Sequence, residues 1–202
     1  MAFIELPDEP DTGGPVAELF AADQRAHGYV ANLTRLFARR PAVYLAWQQL
    51  GQAIRANMDP REYELVTLAA ARRLRSRYCS LAHGMVLRDR FYDAGAVVRI
   101  VTDHRSAGLD PADVAVMDFA DKVAADASSV TAADVAALRA SGLPDDGILD
   151  VALAAAARCF FSTVLAALGA EPDAAYRAEL EPELYHALAA VRPPPATPGS
   201  RR

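Results

Sequence analysis

The sequence predicts an all-α protein. Three observations carry that reading: no stretch alternates apolar and polar residues as a half-buried strand would, Pro, Gly and Asp recur as helix stops and starts, and alanine is abundant between them. The chain has 202 residues, 52% of them hydrophobic and 23% charged. That length suits one compact domain or a domain built from two similar halves, and that apolar fraction excludes general disorder. A net charge of −5 lacks the cationic field that nucleic acid or an anionic membrane would require, so neither is an expected partner.

The elements follow in order. Residues 1–14 read as a polar, Pro- and Gly-rich lead-in with neither a basic n-region nor an apolar h-region. Residues 15–191 are expected to form the single helical domain, and 192–202, beginning Arg192-Pro-Pro-Pro, a disordered basic tail. Val16 to His27 and Val30 to Arg39 are the first helices. Ala42 to Ala56 carries Val43, Leu45, Ala46, Leu50 and Ile54 at roughly helical spacing. Asn57-Met58-Asp59-Pro60 stops that helix and starts the next: Asp59 can cap, Pro60 suits the first helical position, and Glu62 completes a capping-box pattern.

Helices then run from Pro60 to about Leu74, from near Ser76 through Arg90, and over Ala94–Thr102. After the Gly108-Leu109-Asp110-Pro111 turn comes Ala112–Ala125, and Thr131-Ala132-Ala133-Asp134 opens a helix that Gly142 closes. Pro144 starts a long apolar helix ended by Gly169, and one last helix spans Asp173 to Val191. The apolar stretch from Ile148 to Ala170 contains Asp150 and Arg158, both costly in lipid, so a helix buried in protein is expected there rather than a membrane span. Two cysteines cannot make a disulfide framework, and the expected compartment is the cytoplasm.

Chemistry concentrates between Asp59 and Arg90. Leu65, Val66, Leu68, Ala69, Ala70 and Leu74 spread around the helical wheel, so their helix is expected to be surrounded by protein. Glu64 shares a face with Thr67, Leu68 and Ala71, which would bury it in part; a solvated glutamate beside Arg61 is the alternative. On the following helix Cys79, Ala82, His83 and Val86 form one stripe, with Cys79 and His83 one turn apart. Cys79 falls in or near the first turn, where unpaired N–H groups and the helix dipole favour a thiolate, and a neighbouring histidine can take the proton. A plain buried cysteine would look the same on sequence alone. No second pair of ligands completes a metal site, and no cofactor is implied.

From Glu64 it is twelve residues to Ser76, three more to Cys79 and four more to His83. This spacing resembles the E-x11-C-x-x-C-x3-H signature of the carboxymuconolactone decarboxylase and alkylhydroperoxidase D (AhpD) superfamily. Gly28-Tyr-Val-Ala-Asn32, the Arg40-Pro41 boundary and Leu168-Gly-Ala-Glu-Pro-Asp173 agree with it, so the likeness spans about residues 25 to 175. The resemblance implies an AhpD-like helical bundle completed by homo-oligomerisation as a dimer, trimer or hexamer, with sites near subunit interfaces. It makes Cys79 the thiol that attacks a hydroperoxide, His83 the histidine of a proton relay, and Glu64 the start of that relay.

The chain departs from the family where Ser76 stands in place of the first cysteine, so the usual dithiol cycle cannot close. Resolution of an oxidised Cys79 would fall to an external thiol reductant, a partner protein or Cys159, whose apolar setting reads as an inert thiol. Three functions stay open. One is peroxidase chemistry on a small hydroperoxide through one cysteine. A second is cysteine-independent acid–base chemistry on a small carboxylated or lactone substrate, with Arg75 or Arg77 holding the anion. The third is a non-catalytic oligomeric helical protein.

Overall fold

The structure, a computed structural model, describes residues 2–7 and 13–190. The expected tail, 192–202, lies outside the described residues, as does part of the lead-in. Among the described residues there are eleven α-helices, two single 3₁₀ turns and no strand, so the all-α expectation holds. The helices are α1 (Gly14–His27), α2 (Asn32–Phe37), α3 (Pro41–Arg55), α4 (Pro60–Arg73), α5 (Arg77–Arg90), α6 (Ala94–Asp103), α7 (Pro111–Asp126), α8 (Ala132–Ala140), α9 (Asp145–Ala167), α10 (Ala174–Glu179) and α11 (Pro182–Ala189).

Helix α4 is the central element, packed against α5, α7 and α9. Asp59 starts it as expected, its carboxylate accepting from the N–H groups of Arg61 and Glu62 at 3.0 Å each. Leu65, Val66 and Leu68 are wholly buried, and each such side chain contributes about 1.5–3 kcal/mol of burial free energy. Around them α5, α6, α7, α9 and α11 close the larger core. A second cluster lies beside it, where Leu19, Phe20, Leu36, Phe37 and Tyr44 from α1–α3 meet Phe161 and Leu165 of α9. Tyr78 and Cys79 of α5 belong to this second cluster.

The last helix differs from expectation. Asp173 to Val191 is not one helix but two, because Leu180 and Glu181 are extended ahead of Pro182. A residue before proline is driven out of the helical region, and proline has no N–H to continue the ladder. Helix α11 then turns back onto α5 at Gly84. A Cβ there would lie 2.3 Å from a methyl of Leu188, which is itself wholly buried.

Helix α9 is, among the described residues, the one helix long and apolar enough to cross a membrane by length and composition. Its Ile148, Val151, Ala154, Ala155, Arg158, Phe161, Ser162 and Leu165 are nevertheless buried against the other helices. The apolar stripe of α3 faces the other way from what its spacing suggests. Ile54 enters the core, but Val43, Leu45 and Leu50 are exposed, as are Leu153 and Phe160 on the neighbouring stretch of α9. The two helices flank an apolar groove of about 680 Å³.

Candidate active site

The turn between α4 and α5 sets the site. Leu74 N–H donates to Ala70 and Ser76 N–H to Ala71, while Arg75 between them takes φ +56°, the one positive φ outside glycine among the described residues. This left-handed residue ends α4 and lets Ser76 begin α5 at once. Ser76 is buried and caps the helix, its Oγ accepting from Cys79 N–H at 3.4 Å. Cys79 therefore sits in the first turn of α5, as its spacing predicts, and it is 2% exposed.

The start of α5 is also tied to distant segments. Tyr78 donates its hydroxyl hydrogen to Asp173, and the other oxygen of that carboxylate accepts from Asn32 N–H at 2.8 Å. Asn32 Nδ2 donates to Glu171 O at 3.1 Å. The two flanking segments singled out in the sequence, ending at Asn32 and Asp173, thus meet at Tyr78, the residue before the cysteine. Burial, then the Asp173 charge, pushes the Tyr78 phenol well above its usual range, so it stays a donor.

Glu64 and His83 come together. The Glu64 Oε2 lies 2.6 Å from His83 Nδ1, and each side chain is 12% exposed. Arg61 is not the partner of Glu64: its guanidinium binds Asp113 at 2.5 Å and Tyr92 at 2.9 Å. With the Glu64 carboxylate accepting from Nδ1–H, His83 presents Nε2 as its basic nitrogen. Burial lowers the His83 pKa first and the charge of Arg158 lowers it further, against the opposing pull of Glu64. The imidazole is therefore neutral near pH 7 and free to accept a proton. The edge of Tyr63 packs against it, with ring centroids 6.3 Å apart.

One residue at this site has no place in the sequence motif. Arg158, 7% exposed in the middle of α9, directs Nη1 at the Cys79 sulfur over 3.5 Å. Its guanidinium lies 5.6 Å from the ring centre of Phe161 and 5.9 Å from that of Trp47. Trp47 also lines the apolar groove between α3 and α9. Burial opposes the charge on Arg158, yet Cys79 and Tyr63 beside it raise its pKa overall. The sequence signal for it was the one arginine of a largely apolar helix, which with Asp150 weighs against a membrane span without showing what the arginine faces.

The remaining candidates lie apart. Cys159, a free thiol like Cys79, is only half-buried, and burial raises its thiol pKa. Arg75 and Arg77 line a smaller cavity of about 280 Å³ with Ser76 and Tyr78, at the N-terminal end of α5. Among the described residues, no cluster of three His, Cys, Asp or Glu side chains could hold a metal ion. The arrangement offers a buried thiol with a carboxylate-oriented imidazole one turn along the same helix and a cation at its sulfur.

The bundle has the AhpD-like helical fold. The chain is similar to the alkylhydroperoxidase AhpD core of an uncharacterized peroxidase-related protein from Ralstonia eutropha JMP134, with 24% identity and a TM-score of 0.76 over 87% of this chain and 94% of that one. It is also similar to a peroxidase-related protein from Silicibacter sp. TM1040, at 23% identity and a TM-score of 0.78 over 87% and 93% of the two chains. The debrominase Bmp8, solved in complex with 2,3,4-tribromopyrrole, matches at 15% identity and a TM-score of 0.71 over 86% and 93%. At these identities the likeness is one of fold. No protein-family model and no curated protein matches the sequence.

Proposed function

We propose that the chain is an alkylhydroperoxidase-like oxidoreductase that reduces a small hydroperoxide through one cysteine. The observation that carries this reading is the 2.6 Å contact from Glu64 on α4 to His83, which shares α5 with Cys79. Glu64 holds Nδ1–H, so His83 Nε2 takes the proton of the Cys79 thiol. The thiolate attacks the terminal oxygen of the hydroperoxide. An S–O bond forms as the O–O bond breaks, giving Cys79 sulfenic acid and an alkoxide, to which His83 returns its proton to release the alcohol. Sulfur is oxidised and the peroxide reduced, with no proton left over.

Ser76 cannot resolve the sulfenic acid. Two molecules of an external thiol do so, releasing water and leaving a small-molecule disulfide and a regenerated thiol. The free state of both cysteines supports a cytoplasmic setting, and the exposed apolar residues of α3 and α9 support self-association of a single helical domain over residues 15–191.

The missing partner thiol favours one alternative, in which His83 and Glu64 perform acid–base chemistry on a small carboxylated substrate without Cys79. Two variants separate the readings. Hydroperoxide consumption lost in both Cys79→Ala and His83→Ala supports the peroxidase. An activity on a carboxylated or lactone substrate that survives Cys79→Ala and fails in His83→Ala supports the alternative.

A further inference from the structure

A buried arginine needs a reason. Removing a guanidinium from water is costly unless something offsets the charge, and carboxylates normally do so. Among the described residues no carboxylate lies within ion-pair distance of Arg158. The groups around it are Cys79 and His83 from α5, Tyr63 from α4, and the faces of Trp47 from α3 and Phe161 from α9 itself. Its Nε has no hydrogen-bond partner, while Nη1 is aimed at the sulfur. The two aromatic faces attract a cation, but they leave its charge unneutralised.

From this geometry we infer that Arg158 is the built-in counter-ion of the Cys79 thiolate, held in place by Trp47 and Phe161. The inference rests on the proposed function only in taking Cys79 as the reacting group. Two arrangements of the cluster have the same net charge: thiol with neutral imidazole, and thiolate with imidazolium. Arg158 acts on both halves of that exchange in opposite senses, since it attracts the sulfur anion and repels a proton on His83. A thiolate beside Arg158 can therefore form while His83 passes its proton onward to a leaving alkoxide. Lysine would keep the charge but lose the delocalised guanidinium and its fork of donors; methionine would keep the bulk and lose the charge.

The test uses the full chain carrying Cys159→Ser, so that Cys79 is the only thiol, and the reagents iodoacetate and iodoacetamide. Their rate ratio cancels access to a buried sulfur and reports the local charge. The ratio of iodoacetate to iodoacetamide rates at Cys79 is expected to be roughly tenfold higher in the native chain than in the same chain unfolded in urea. Arg158→Met should abolish that excess and Arg158→Lys should keep part of it. A native ratio at or below the unfolded one overturns the inference, as does an unchanged ratio in a folded Arg158→Met chain. So does failure of both reagents to reach native Cys79. Where Arg158→Met does not fold, the comparison of the native with the unfolded Cys159→Ser chain decides alone. An elevated ratio in a chain that consumes no hydroperoxide would refute the peroxidase and leave the counter-ion standing.

Discussion

Glu64 on α4 and His83 on α5, 19 residues apart, are joined by a 2.6 Å contact between Oε2 and Nδ1. The contact fixes the imidazole tautomer, and thereby which nitrogen is left to handle protons. Glu64→Gln preserves the shape but removes the charge that holds an imidazolium. Hydroperoxide consumption should fall by about 10²-fold in Glu64→Gln and in His83→Ala. The double variant should be little worse than either, because the pair works as one unit. Initial rates with an organic hydroperoxide and a thiol reductant check this.

The lowered pKa of His83 makes a statement about stability. The unfolded histidine binds its proton near pH 6.5, and the folded one only at lower pH. Between those two values the unfolded state holds more protons. The stability from burying a neutral imidazole is thus complete above about pH 6.5 and declines as pH falls through the folded pKa. Urea midpoints measured from pH 7 downward should drop, and His83→Gln should flatten that drop.

The approach of α11 to α5 at Gly84 leaves no room for a methyl group. Gly84→Ala should lose about 1–3 kcal/mol of stability, since the buried Leu188 has nowhere to turn. Gly147, in the first turn of α9, meets only ordinary contacts at 3.4 Å and beyond. Gly147→Ala should be neutral or stabilise by about 0.5–1 kcal/mol. Thermal or urea denaturation of the pair provides the contrast.

The Tyr78–Asp173–Asn32 connection pins the cysteine-bearing end of α5. Tyr78→Phe leaves a buried carboxylate oxygen without its donor and should cost about 1–3 kcal/mol. Cys79 alkylation should become faster relative to wild type as that end loosens, which protection experiments on α5 amides would also register.

The sequence made the local parts of this account visible. Asp59-Pro60 marked the start of α4, and Cys79 and His83 shared a stripe because one turn of helix separates them. Glu64 joined them through the family-like spacing. What stayed hidden depends on tertiary contacts. Arg158 lies 79 residues from Cys79, and no periodicity within α9 says that its one arginine points at a sulfur. The stripe on α3 gave a helix correctly but not its facing, because apolar spacing cannot say which side a chain covers with itself. The break at Pro182 was legible in principle. Leu180, Leu184 and Leu188 keep a helical spacing across it, which masks the interruption.

The function proposed for this site turns on Cys79 reacting with a hydroperoxide under the influence of His83. The direct measurement is trapping of sulfenic acid with dimedone in the Cys159→Ser chain after one equivalent of an organic hydroperoxide, read by peptide mass spectrometry. A peroxide-dependent adduct is expected on the Cys79 peptide, and it should be lost in His83→Ala. A Cys79 that iodoacetamide alkylates but that never yields the adduct would contradict it.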